Sequence, residues 1–165
     1  MKLFKRLFGK KPEAPRRAAL RNGSVVTEVG PAAILHALFS TVAARLEPNG
    51  WGSRFPITMN RLYQGRLEAV DAPGCLAELR QIEQELSQLP PSAVVWDIEV
   101  PERPPSPHYL LGASAANASE YFVTANGLNL LRGGLIDNVE SAVEFKDHVE
   151  IITFGSPADL FAGRA

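Results

Sequence analysis

The sequence predicts a single α+β domain, a mixed or antiparallel sheet covered by three to four helices. Three observations predict it. Apolar residues recur at helical spacing in two long runs, Leu35-Leu38-Phe39-Val42-Leu46 and Leu76-Leu79-Ile82-Leu86-Leu89. Apolar and polar residues alternate with a period of two from Ala93 to Val100. The elements read in the order strand, helix, short helix, strand, helix, strand, strand, helix, strand, with no internal repeat. A chain of 165 residues can bury one core of its own.

The first 23 residues are expected to lie outside that domain. Leu3, Phe4, Leu7 and Phe8 share one helical face, with Lys2, Lys5 and Arg6 elsewhere. This basic amphipathic pattern suits contact between residues 1–11 and an anionic membrane surface. The pattern is too short and too charged to span one. A solvated basic tail is the competing reading. Residues 9–23, with Pro12 and Pro15 among charges, read as linker. The domain then covers residues 24–153, and residues 154–165 form a tail.

Within the domain, Ser24 to Val29 reads as a strand. Gly30-Pro31 opens a helix that runs to about Glu47 and stops at Pro48-Asn49-Gly50. His36 lies off its apolar stripe, a boundary histidine with no partner nearby in sequence. Trp51 to Leu67 is the densest block of specific residues. Phe55 before Pro56 is biased to extended backbone, and Pro56 suits the first position of a short helix. Phe55, Met59, Leu62 and Tyr63 make its buried face, Gly65 ends it, and Arg54 is expected to pair with an acid such as Asp97. Arg66 to Val70 adds a short strand. A helix follows from Ala72 or Pro73 to Leu89, with Cys75 as a buried structural thiol. Ala93 to Val100 is the clearest strand, with Val94, Trp96, Ile98 and Val100 on one side and Asp97 and Glu99 on the other. Residues 101–116 form a proline-rich loop, Glu120 to Thr124 a strand, and Ala125-Asn126-Gly127 a turn. The helical run from Leu128 to Phe145 should kink or divide at Gly133-Gly134, because glycine inside a helix costs about 1 kcal/mol relative to alanine. His148 to Thr153 is the last strand.

Charge narrows the function classes. Residues 1–21 carry eight Lys or Arg against Glu13, a net of +7, and residues 22–165 carry nine bases and seventeen acids, a net of −8. An acidic body does not suit nucleic acid, whose phosphates need clustered Lys and Arg. It suits a basic protein partner. The single cysteine excludes an internal disulfide and a CxxC zinc site. No GxSxG, HExxH or Walker motif occurs, so no catalytic residue, metal ligand or cofactor is expected.

Several blocks in fixed order carry a resemblance. They are Phe39-Ser40-Thr41, Trp51 to Pro56, Asn60 to Leu67, Val95 to Glu99 and Tyr121 to Thr124. Together they resemble the immunity protein 70 family of bacterial polymorphic-toxin systems, over roughly residues 24–153. The resemblance implies a small non-enzymatic α+β protein in the cytoplasm, at the inner face of the membrane if the arm docks there. It also implies that the chain binds a cognate toxin, a nuclease being one candidate, and blocks its active surface. The resemblance supplies no site residues. From exposure and charge, the expected contacts are Asp97, Glu99, Glu102, His108 and Tyr109. The expected membrane contacts are Lys2, Leu3, Phe4, Lys5, Arg6, Leu7 and Phe8. Two alternatives stand beside this reading: a membrane-peripheral adaptor using the arm, and a small metal-dependent hydrolase using Asp97 and Glu99.

Overall fold

Four antiparallel strands in the order β2-β1-β4-β3 form the sheet. They are β1 (Arg17–Asn22), β2 (Val25–Pro31), β3 (Arg66–Leu67) and β4 (Val149–Phe154). The computed structural model describes residues 16–105, 109, 112 and 114–155. The expected arm (residues 1–11), His108 and all but the first two residues of the expected tail lie outside them. The fold is the expected α+β class, with an antiparallel sheet and three main helical segments.

β1 is a correction. Residues 17–22 were expected as linker, yet they form a central strand paired with both β2 and β4. Asn22 and Val25 flank a two-residue connection in which Gly23 takes φ +55°. Primed hairpin turns place glycine at that first central position, because their twist matches that of the strands. Ala18, Ala19 and Leu20 are fully buried. Opposite charges clamp the strand across its neighbours, Arg17 to Glu28 on β2 and Arg21 to Glu150 on β4.

Three helical runs build the rest of the core: the first and third pack on the strands, and the second packs on the other two. The first, α1 (Ala32–Leu46), buries Leu35, Leu38, Phe39, Val42 and Leu46, the stripe read from its spacing. The second, α2 (Ala72–Leu86), has proline in its first turn and buries Cys75, Leu79, Ile82 and Leu86. The expected long C-terminal helix divides, as the glycine pair required. A π-helical segment spans Leu130–Ile136 and contains Gly133 and Gly134, and α4 (Asp137–Phe145) follows it. The preceding α3 (Ala118–Tyr121) is a single turn, where a strand was expected over residues 120–124. Asn117 accounts for the difference: its side chain accepts from the Glu120 N–H at 3.2 Å. That is N-cap chemistry with a glutamate three residues on. Only Val123 keeps strand-like pairing, an isolated bridge to Asn129.

The Trp51–Leu67 block folds around a buried carboxylate. Glu47 is 2% exposed and accepts from the backbone N–H groups of Gly52 (3.0 Å), Arg54 (3.0 Å) and Phe55 (3.1 Å). Gly52 has φ +77° and stands where a Cβ would strike the Asn60 side chain. Pro56 begins the helix, which becomes π-helical over Thr58–Leu62. Glu78 of α2 caps it, accepting from the N–H groups of Ile57 and Thr58. Arg54 does not meet Asp97. Its guanidinium makes two 2.8 Å bonds to Glu85 of α2, a third to the Leu46 carbonyl, and lies over the Phe55 ring. Bidentate Arg–carboxylate geometry of this kind is what the planar guanidinium favours. After Gly65, β3 is two residues long rather than five, and Ala69–Asp71 turns into a 3-10 helix.

Candidate functional site

The second large correction lies at the candidate site. Ala93 to Val100, expected as the clearest strand, is not part of the sheet. Pro91–Ala93 is a 3-10 turn, and residues 94–103 run as a strap along α1. Side chains of α1 replace a strand neighbour. The Val95 N–H donates to Thr41 Oγ1 at 3.0 Å, and the Ile98 N–H donates to Ser40 Oγ at 3.1 Å. The Thr41 hydroxyl lies 3.2 Å from the Val95 carbonyl, and Arg45 Nε donates to the Ala93 carbonyl at 2.8 Å. Buried backbone groups need partners, and here hydroxyls of a helix serve in place of a ladder. The alternation does not survive: Val95 and Trp96, expected on opposite sides, are both buried, while Glu99 and Val100 are both exposed.

Asp97 organises the outer half of the strap. One oxygen, Oδ1, accepts from the Glu99 N–H at 3.0 Å and lies 3.3 Å from His36 Nε2. The other, Oδ2, is 2.9 Å from Arg103 Nη1. Two successive turns complete the loop, Val100 N–H to the Asp97 carbonyl (3.1 Å) and Arg103 N–H to the Val100 carbonyl (2.9 Å). The Glu99 N–H, then the His36 side chain, then the Arg103 charge hold the Asp97 carboxyl below the usual carboxylate range. Asp97 is therefore a stapled residue rather than the freely exposed one expected from alternation.

His36 has the partners that sequence proximity did not offer. Its Nδ1 is 2.6 Å from the Tyr63 hydroxyl, and that ring packs on Phe39 and Trp51. With the proton on Nε2, the imidazole donates to Asp97 and accepts from Tyr63. Burial, followed by the negative charges of Asp97 and Glu99, pushes the Tyr63 phenol up. The Trp51–Leu67 block thus reaches the acidic strap through one histidine. Sequence reading missed both His36 and Tyr63 here, because 27 and 61 residues separate His36 from its two partners.

The expected contact residues divide. Glu99 and Glu102 are exposed, with no cation partner among the described residues. Tyr109 is a correction: it is 8% exposed, stacks against Trp96 and Tyr121, and takes the Val123 N–H on its hydroxyl at 2.6 Å. It closes the core and leaves the contact set.

This arrangement is not a catalytic triad. Ser40 and Asp97 both meet His36 at Nε2, whereas a relay needs nucleophile and orienting acid on opposite ring nitrogens. Ser40 is also fully buried. Among the described residues, no three His, Cys, Asp or Glu side chains converge as metal ligands. Cys75 is buried beside Thr58, and desolvation pushes its thiol up to about 12, which keeps it an unreactive thiol at neutral pH. An open polar groove of about 640 Å³ lies along α2 between Arg54, Arg80, Gln81, Gln84 and Gln88, away from the strap.

A family model described as immunity protein 70 matches residues 20–151, most of the chain. No curated protein and no solved structure matches it.

Proposed function

The chain belongs to the immunity protein 70 family, and from that membership we propose that it neutralises a cognate toxin by binding the toxin's basic active surface with the exposed carboxylates of the strap. Immunity proteins are typically non-enzymatic inhibitors, and the partner the family implies is a toxin. The observation that carries the choice of surface is Glu99 and Glu102 standing exposed on either side of Val100, in a body whose net charge is −8 over residues 22–165. A nuclease suits such an inhibitor, because a cleft that holds phosphates is lined with Lys and Arg. Complementary charge would speed encounter and fix register. His108, outside the described residues, stays in the proposed contact set on its position in the same loop.

Glu99→Lys with Glu102→Lys tests the surface. The double variant should fold normally, since exposed substitutions shift stability by about 0.5 kcal/mol or less. It should fail to protect cells expressing the toxin domain encoded beside it. Full protection by the folded variant excludes this surface.

The basic arm supports a second reading, in which residues 1–11 bring the acidic body to an anionic membrane. Residues 1–11 are too few and too charged to span a bilayer, so such contact would be peripheral. Deleting residues 1–11, which leaves β1 whole, should then release the protein from the membrane fraction without loss of toxin binding. Equal fractionation of both forms removes this reading.

A further inference from the structure

We infer that Asp97 is the positioning residue of the contact loop, held by His36 and Arg103, and that it shapes the loop without itself touching the partner. The inference rests on the toxin-binding reading above. Three observations carry it. First, both Asp97 oxygens are engaged inside the protein, by the Glu99 N–H, His36 and Arg103, and its side chain is 14% exposed. Secondly, the residues it brackets are the exposed ones, Glu99, Val100, Pro101 and Glu102. Val100 stands 37% exposed between the two glutamates. Thirdly, the strap is attached to α1 through single side chains rather than a ladder, so its outer half has few other restraints on its shape.

A loop fixed before binding loses less entropy on association than one that must be ordered. Asp97 fixes it in two ways. Its acceptance of the Glu99 N–H sets an Asx turn, which orients Glu99. Its pair with Arg103 closes the other end and neutralises the cation next to Glu102 in sequence. The partner this shape fits is a basic recess with room for a small aliphatic tip between two cationic groups.

Asp97→Ala, Asp97→Asn and Glu99→Gln with Glu102→Gln separate the roles, each made in the full chain. Binding is measured against the purified toxin domain from the neighbouring reading frame across a salt series, and amide exchange at Glu99 is followed in the free protein. Asp97→Ala should weaken binding about tenfold, with faster exchange at Glu99 and the same small fall in salt slope as Asp97→Asn, since either change frees Arg103. Asp97→Asn keeps the acceptor for the Glu99 N–H and should restore most of the affinity. The double glutamine variant should instead flatten the salt dependence and leave Glu99 exchange as it was. Asn behaving as badly as Ala while exchange at Glu99 stays slow would make Asp97 a direct contact and overturn the proposal. Unchanged affinity and exchange in Asp97→Ala would overturn it too. Failure of the wild-type protein to bind the toxin domain overturns the reading beneath it, while the exchange measurement still decides whether Asp97 shapes the loop.

Discussion

β1 and the strap invert what their sequences promise. β1 reads Arg-Ala-Ala-Leu-Arg-Asn, poor in β-branched and aromatic residues, and it is paired on both sides. The strap reads Val-Val-Trp-Asp-Ile-Glu-Val, the strongest period-two pattern in the chain, and it joins no sheet. β-propensity describes how a side chain fits a half-buried pleated surface, and it does not supply a neighbour. β1 has neighbours because Gly23 turns it directly onto β2 and because β4 returns to its other side. Its alanines suit a strand crowded on both faces. The strap follows Pro90-Pro91 beside α1, and the serine and threonine there bond its backbone first. The two regions are thus attached by different means, a continuous ladder in one and separate side chains in the other.

The largest expected effect breaks β1. Leu20 is fully buried beneath the helices, so Leu20→Ala should cost about 2–5 kcal/mol by lost transfer energy and a residual cavity. Urea denaturation would show it as a lower midpoint with unchanged slope. Cys75 offers an independent readout, since its buried thiol, pushed up to about 12, should label only when the core opens. Labelling should accelerate in Leu20→Ala. A loss within about 0.5 kcal/mol would mean that β1 is not a central strand in solution.

A smaller effect should come from the strap. Thr41→Val keeps shape and removes the acceptor for the buried Val95 N–H and the hydroxyl beside the Val95 carbonyl. An orphaned buried backbone group costs about 1–3 kcal/mol. Exchange at Val95 should rise, while Cys75 labelling stays slow, because the strap can lift from α1 without opening the α2 side of the core. Equal acceleration of both would show that strap and core open as one unit and would erase the distinction drawn above.

The elements legible in the sequence are those whose signals are local. The α1 and α2 stripes, the Gly65 stop and the division at Gly133-Gly134 each depend on residues within a few positions of one another. Two further local signals were present and outweighed. Gly23-Ser24 marks a hairpin, and Asn117 with Glu120 marks a helix start. What could not be read depends on distant partners. Arg54 meets Glu85 across 31 residues, and His36 meets Asp97 across 61. Tyr109 sits in a loop rich in proline yet is buried, because Trp96 and Tyr121 close around it. Half of the candidate site was legible as charge, Glu99 and Glu102. The staple that shapes it was not, because alternation placed Asp97 on a wet face.

The smallest expected effect is set by acid, and it compares one carboxylate from each region. Asp97 is held below its ordinary range, chiefly by the Glu99 N–H, and Glu150 on β4 likewise, chiefly by the Arg21 side chain. A depressed folded pKa adds stability that is fully present above the unfolded value, about 4, and is lost as pH falls through the lower folded value. Both groups therefore lose their contribution in the same acidic window. The consequences differ with the attachment. When Glu150 is protonated, β1 and β4 keep their backbone ladder from Arg17–Phe154 to Asn22–Val149, so the sheet amides should stay protected. When Asp97 is protonated, the Glu99 N–H and Arg103 lose their charged acceptor, and no ladder stands behind them. Amide exchange corrected for its intrinsic pH dependence should show protection at Glu99 falling below pH of about 4 while protection along β1 persists. Simultaneous loss at both positions would place the strap and the sheet in one cooperative unit, despite the difference in how each is bonded.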